Sequence, residues 1–322
     1  MDRRTFLMAA AAAGLQGAAG TARAADFPGR PISLIVPYAA GGNGDFTART
    51  FGDAFAQVIG QPVVVENRAG AGGAIGAGYV ARAKPDGYTL IAAAKGVFSI
   101  TPNLVDVSYG MDDFRAVGFI SQAPMVLVVK NDSKYRTLED FIQDARSAPG
   151  RVSLGIGAMG SDNHVAMLHL ELAANCSFNP LAYKGAGPMM LDLMGGHIDA
   201  GIDQLTTSKP LFEAKSTRPL AVLGLTRHAL LPSVPTIESI GCQPFDSTTY
   251  IGLLAPRGTP DAVLAALNEA RSRALQSPKV QQAFLEAGGA VYDEKPDQLE
   301  KLVREESDFI KAMLKEGKVE KS

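Results

Sequence analysis

Short apolar runs alternate with amphipathic stretches along most of the chain. Ile32–Val36, Val63–Val65 and Tyr88–Ala93 read as buried strands, and helical spacing fills the intervals at Asp45–Ile59 and Ala74–Arg82. Short apolar strands separated by helices predict an α/β fold with a mainly parallel, doubly wound sheet. The pattern then restarts. Val117–Ile120 and Val126–Val129 are strand-like, and Leu138–Arg146 is helical behind Thr137. Glu139 and Asp140 fall in that helix's first turn, where the helix dipole favours negative charge. Val152–Leu154, Pro180–Tyr183, Ile198–Ile202 and Leu220–Leu225 predict further strands, with helices at Asp162–Ala174 and Pro188–Met194. A connection containing Pro232, Pro235 and Pro244 leads to the apolar strand Tyr250–Leu254. Three helices follow at Pro260–Gln276, Pro278–Ala287 and Pro296–Lys315, each opening on a proline that suits the first helical position.

Two such series imply two lobes. Crossovers are expected near Ser121–Lys130 and Phe245–Leu254, which makes the first lobe discontinuous (25–121 plus 252–322) and the second continuous (122–251). Two α/β lobes joined by two strands enclose a hinged cleft, and folds of this kind bind ligands at domain interfaces and at strand C-termini.

The first residues carry a separate signal. Arg3 and Arg4 precede an alanine-rich apolar stretch, Phe6–Ala19, and Ala22-Arg23-Ala24 fits the small-residue rule of signal peptidase. Residues 1–24 are therefore expected to be an export signal, cleaved near Ala24 to leave the protein in the periplasm. Arg3-Arg4-Thr5-Phe6-Leu7 also fits a twin-arginine signal, and both export routes stay open. Cleavage would leave 298 of the 322 residues. It would remove three Arg and one Asp, taking the formal charge from −2 to −4. A mildly acidic chain is not built to hold nucleic acid or an anionic membrane. If it binds an anion, local dipoles and a few placed groups must do the work.

Two glycine-rich loops occupy matching places in the two lobes. Pro37–Asp45 follows the first strand and opens the first helix; Gly155–Ser161 does the same in the second lobe. Glycines there expose backbone N–H groups, and these together with the positive end of a helix dipole suit an anion. Asp45 is the expected N-cap of the first helix. Ser161 is open to two roles, capping the second-lobe helix or donating its hydroxyl to a ligand. A third loop, Asn67–Gly73, is readable as close helix–sheet packing. Lys95 and Lys184 end their strands at the cleft and are candidate cations. Asp203 also ends a strand, free to cap the next helix, orient a lysine or accept from a ligand hydroxyl or amine.

No catalytic constellation, metal site or cofactor is expected. Ser161 opens a helix with His164 three residues on, without a nucleophile elbow. His164 and His169 miss the i, i+4 spacing of a helical zinc pair. Gly155-Ile156-Gly157-Ala158-Met159-Gly160 spells the dinucleotide pattern G-x-G-x-x-G, but the following strand carries no acidic residue for a ribose. An exported oxidoreductase is kept as the alternative on that pattern alone. Cys176 and Cys242 leave a disulfide open.

The motifs, in order, resemble the Bug or TctC family of solute receptors for tripartite tricarboxylate transporters. The resemblance spans nearly the whole chain after the signal. It runs from Phe27-Pro28-Gly29-Arg30-Pro31-Ile32 through Val36–Asp45, Gln61–Gly73 and Pro85-Asp86-Gly87-Tyr88-Thr89-Leu90. Tyr183-Lys184-Gly185, Leu230–Thr236 and Gly252–Pro260 continue it. It implies a two-lobe Venus flytrap of the type II-like periplasmic-binding-protein class, monomeric and hinged. A carboxylate would be held between the two loops, partly through ordered water. The implied ligand-binding residues are Tyr38, Ala40, Gly42, Asn43 and Asp45 from the first loop and Ala158, Met159, Gly160, Ser161 and His164 from the second, joined by Lys95, Lys184 and Asp203. The implied ligands are di- or tricarboxylates, acidic amino acids or aromatic acids. The implied partner is a membrane permease with one large and one small subunit, although some relatives feed signalling instead. Four departures bear on the ligand: Asn43-Gly44 stands where relatives often carry Ser or Thr, Asp203-Gln204 replaces Asp-Asn, Tyr250-Ile251 replaces an aromatic pair, and Lys95 replaces a small polar residue. A lysine at the cleft would favour a second negative charge on the ligand.

Overall fold

The computed structural model describes residues 27–317, 319 and 321; the expected export signal, 1–24, lies outside them. Strands β1 (Ile32–Val36), β2 (Val63–Asn67) and β3 (Thr89–Ala94) alternate with helices α1 (Asn43–Ile59) and α2 (Ala74–Ala81). β1 lies between β2 and β3 and runs parallel to both. Its Ile32, Leu34, Ile35 and Val36 are fully buried, as a central parallel strand covered on both faces requires. α1 lays Phe51 and Phe55 on one side of this sheet and stops at Gly60, whose left-handed backbone (φ 73°) lets its N–H return to Ala56. α2 comes so close to the end of β1 that a Cβ on Gly76 would lie 2.9 Å from Pro37 Cα.

Two one-turn helices follow, α3 (Gly96–Ser99) and α4 (Thr101–Leu104), and then β4 (Phe114–Ala123). A single residue, Pro124, separates β4 from β5 (Met125–Lys130), which belongs to the second sheet. Proline has no N–H to give a ladder, so it suits a strand that leaves one sheet for another. The second lobe then builds α5 (Leu138–Ser147), β6 (Ser153–Ile156), α6 (Asp162–Ala174), β7 (Asn179–Ala182), α7 (Ala186–Gly195), β8 (Ala200–Gln204), α8 (Leu205–Glu213) and β9 (Thr217–Val222). Ser247 still bonds to Leu223 of this lobe, and Thr249 already pairs with Ala123. The return strand β10 (Thr249–Pro256) thus lies beside the outgoing one. α9 (Asp261–Leu275), α10 (Pro278–Ala287), β11 (Ala290–Val291) and α11 (Pro296–Lys315) complete the chain.

The strand orders are β11-β4-β10-β3-β1-β2 and β7-β6-β8-β5-β9. The sequence reading expected mainly parallel sheets, and both are mixed. In each, three parallel strands form a nucleus, which antiparallel strands extend. The double crossing is the reason. A strand leaving a lobe and its neighbour returning to it must run in opposite directions. The two cysteines are free thiols packed in the same second-lobe core.

The tail helix α11 serves both lobes. Leu299 and Val303 pack in the first lobe's core, whereas Ile310 and Met313, two to three turns on, join the second lobe's core together with Ile100 and Leu104. Twenty residues of helix reach about 30 Å, enough to lie along the join. Ile310 is fully buried. Ile310→Ala should therefore cost about 2–5 kcal/mol, read from the denaturant midpoint. A loss well under 1 kcal/mol would mean the tail is not anchored in the second lobe.

Candidate functional site

A cavity of about 120 Å³ lies between the lobes at the C-terminal ends of the parallel strands. A buried water needs roughly 10–15 Å³ on this measure, so the space suits several waters or one small molecule. Four loop-to-helix junctions line it: Pro37–Ala39 and Gly42–Gly44 before and into α1; Ala69–Gly73 before α2; Gly157, Ala158 and Ser161–Asn163 around the start of α6; and Tyr183–Ala186 before α7. Ala94, Gln204, Thr249 and Ile251 complete the wall. Each junction leads into a helix N-terminus, whose first N–H groups have no partner within the helix; at α2 the preceding turn takes two, Gly73 N–H to Gly70 O and Ala74 N–H to Ala71 O. The N-caps of α1, α2 and α7 are Gly42, Gly73 and Gly185, which offer no side chain to those N–H groups. Two positive helix ends from each lobe therefore face one buried space, which is an arrangement for an anion.

Contacts between the lobes close the space. Thr206 Oγ donates to Asn43 Oδ1 (2.8 Å), and Gly96 N–H donates to Asp162 Oδ1 (3.1 Å). Thr101 Oγ lies within hydrogen-bond reach of two carbonyls, Gly72 O on its own side (3.1 Å) and Gly160 O across the cleft (3.2 Å). A Cβ on Gly72 would sit 3.0 Å from Met159 O, and one on Gly96 would meet Asp162 Oδ1 at 2.3 Å. Glycine at these two positions lets the walls approach.

The expected site residues divide into two groups. Tyr38, Gly42, Asn43, Ala158, Ser161 and Lys184 line the cavity. The Tyr38 ring lies against Gly44, where a Cβ would meet it at 2.9 Å, which accounts locally for glycine in place of a Ser or Thr. Lys184 is exposed at the rim and makes no ion pair or hydrogen bond among the described residues. Ser161 caps α6, accepting from His164 N–H, but its proton goes to Ala158 O (2.7 Å) and is not offered to the cavity.

Ala40, Asp45, Lys95, Met159, Gly160, His164 and Asp203 lie outside the lining, and each has another task or place. Ala40 is exposed at the loop's outer edge. Asp45 is not the N-cap; it sits two residues into α1 and reaches back to Gly41 N–H (3.0 Å), while Arg49 and Asn67 donate to its other oxygen. Burial acts to raise its pKa, but these bonds outweigh it and hold the carboxyl below its usual range. Lys95 points to the far side of Asp162 and pairs with Glu306 of α11, which also accepts from Ser99 Oγ at 2.5 Å. It is thus removed from the ligand space, and the second-charge argument passes to Lys184. Met159 and Gly160 supply the inter-lobe backbone contacts just described. Burial lowers the His164 pKa to about 4, leaving a neutral ring whose Nδ1 accepts from Gly160 N–H (3.3 Å) and fixes the loop. Asp203 is fully buried, and one of its oxygens accepts the hydroxyls of Thr207 (2.6 Å) and Ser208 (2.9 Å), which ties the end of β8 to the first turn of α8; the N-cap of α8 is Gln204 and has no side-chain bond.

The next residue along, Gln204, faces the cavity instead. Successive strand residues point to opposite sides, and choosing the charged member of the pair selected the wrong side. Asn163, Thr249 and the Ala71–Gly73 turn also line the space unexpectedly. The turn was legible as a third strand–glycine–helix junction, equivalent to the first two. Asn163 gave no sign beyond its place in a helix's first turn. Asn67 is part of the site's frame: its amide reaches both Tyr38 O (3.1 Å) and Asp45, tying the first loop to the end of β2.

A sequence profile described as the tripartite tricarboxylate transporter family receptor matches residues 47–319. The protein BugT of Bordetella pertussis is 33% identical over 296 residues, covering 90% of each chain. Among solved structures, the periplasmic binding protein BugD superposes with a TM-score of 0.86 at 31% identity, covering 92% of this chain and all of that one. MatC from Rhodopseudomonas palustris, with malate bound, gives 0.83 at 30% identity over 88% and 98% of the two chains. A second R. palustris protein, with adipate, gives 0.85 at 32% identity over 90% and 98%.

Asp162 has a measurable consequence of its own. Burial raises its pKa to about 6, with Lys95 opposing the rise and Glu306 adding to it. An unfolded aspartate ionises near 3.9. The folded state therefore holds this proton more tightly, so the group's contribution is most favourable below about pH 4 and is lost as pH climbs through 6. Asp162→Asn keeps an oxygen for Gly96 N–H and removes the buried charge. It should raise the melting temperature at pH 7.5 by about 2–4 °C, the change about 1 kcal/mol gives in a large domain. The gain should vanish near pH 4. An equal shift at both pH values would show that the charge is not the cause.

Proposed function

We propose a ligand class and a mode of capture on one premise: the chain belongs to the tripartite tricarboxylate transporter receptor family, whose members are periplasmic solute-binding proteins. It captures a small organic carboxylate, and the two lobes close on it. The observation that carries this reading is the convergence of four helix N-termini, two from each lobe, on one enclosed space. Neutral dipoles can hold an anion without a cationic cluster, which fits a chain with a formal charge of −2. The relatives that hold malate and adipate support a carboxylate, and the free Lys184 at the rim supports a second acidic group. Closure is a population shift toward the state in which both walls touch the ligand.

On this reading residues 1–24 direct export, the receptor works as a monomer, and it hands its ligand unchanged to a permease of one large and one small subunit. It performs no catalysis. The oxidoreductase alternative loses its main support because Gly155 is not in the turn. It lies inside β6 with its α-carbon packed on Met189 and Ile198, so a dinucleotide-type glycine loop is not formed there.

Two measurements test the reading. Protein freed of ligand by unfolding and refolding is melted with succinate, malate, adipate, citrate, glutamate and benzoate. A bound acid stabilises by about 2.7 kcal/mol at a hundred times its Kd, and at least one should raise the melting point by several degrees. A well-folded protein indifferent to all of them would sink the proposal. Lys184→Gln should then weaken the best di-acid about three- to tenfold by calorimetry while changing its mono-acid analogue by less than twofold. Equal weakening would remove the argument for a second charge.

A further inference from the structure

The polar groups facing the cavity are not all donors. Asn163 Nδ2 donates to Ile202 O at 2.6 Å. A carbonyl can only accept, so this bond fixes the orientation of the amide and leaves Oδ1 as its free end. Oδ1 accepts no hydrogen bond among the described residues; Asn163 lines the cavity, with Oδ1 beside Gly157, where a Cβ would lie 3.3 Å away. Gln204 Nε2 points to Thr249 Oγ (3.3 Å), which leaves Gln204 Oε1 without a hydrogen bond among the described residues; Gln204 also lines the cavity. The Thr249 hydroxyl can take either role, so the orientation of Asn163 is the firmer of the two. Asp162 lines the same cavity. One of its oxygens takes Gly96 N–H; the other has no hydrogen bond among the described residues, although the Thr249 hydroxyl is near enough to favour its charged form.

A wall of free acceptors that includes a carboxylate residue is ill suited to an unsubstituted acid anion, which offers only acceptors in return. Free acceptors that lose water without gaining a partner cost affinity. We propose that Asn163, with Gln204, reads a hydrogen-bond donor on the ligand, so that the receptor prefers acids carrying a hydroxyl or ammonium group over plain acids of the same length. Asn163 lies in the first turn of α6, one of the helix starts to which the carboxylate-receptor reading assigns a carboxylate. The donor it meets therefore sits on the carbon next to that carboxylate, and the preferred class is 2-hydroxy or 2-amino acids. The inference rests on the carboxylate-receptor reading and narrows it. Sites built to pair a substrate's polar hydrogen discriminate strongly against analogues that lack it.

Calorimetry on ligand-free, full-length mature protein with matched sets tests this: succinate, malate and aspartate; glutarate, 2-hydroxyglutarate and glutamate; adipate and 2-aminoadipate. In whichever set binds, a substituted acid should bind at least tenfold tighter than the plain one. Preference for malate over aspartate would identify a hydroxyl, and the reverse an ammonium. Asn163→Ala should reduce the substituted-to-plain ratio to threefold or less. Gln204→Met, nearly equal in volume, makes the same test should the first variant not fold. Plain acids binding as tightly as their substituted partners, as they would if ordered water satisfied the acceptors, would overturn the inference and leave the receptor reading intact. A ratio unchanged in both variants would also overturn it. Failure of every acid to bind would overturn both.

Discussion

An α-helix cannot satisfy its own first N–H groups, and this chain directs four such helix ends at one enclosed space. Much of the remaining structure serves that convergence. Parallel strands deliver each loop to the same edge of its sheet. Glycine caps keep side chains from occupying the N–H groups of α1, α2 and α7. The double crossing at Pro124 and Thr249 sets the two edges face to face. On the reading proposed above, an anion of the right size satisfies both walls at once, and it can do so fully only when they are together. Ligand capture and lobe closure are, on that reading, one event.

Charged side chains have a subordinate part, and their placement shows why. Asp45, Lys95 and Asp203 are all engaged in building the frame: a bracket for the first loop, a pair with the tail helix, and an anchor for two hydroxyls of α8. A fixed charge inside a small cavity would demand a partner in every state of the protein, whereas backbone dipoles can be left to water when the cleft opens. The one free cation found among the described residues that line the cavity, Lys184, sits at the rim, where it stays hydrated. The Lys95–Glu306 pair next to Asp162 joins the tail helix to the cleft wall, so the far end of the chain has a physical link to the site.

The fold was readable largely because burial leaves a strong mark in sequence. Asp162–Ala174, Pro278–Ala287 and Pro296–Lys315 have the bounds that periodicity and proline placement predict. The one-turn helices α3 and α4 were missed, since four residues cannot show a period, and strand direction was misjudged because apolar runs carry no sign of polarity. The site was readable at the level of loops and much less so at the level of side chains. Glycine junctions announced three of the four helix ends, one of them discounted as packing. Which side chain of a junction faces inward depends on a single residue of register, and for that reason Gln204 was passed over for Asp203. Attention to charge misled in the same way for Lys95, whose partner lies 211 residues away in sequence.

Amide-resolved hydrogen exchange during titration with the di-acid that most raises the melting temperature is the most direct test of the central claim. If the carboxylates are held by helix N-termini from both lobes, exchange should slow at the first turns of α1, α2, α6 and α7 together, with smaller changes elsewhere. Protection confined to one lobe, or tracking Lys184 while the four helix starts exchange as before, would contradict the account.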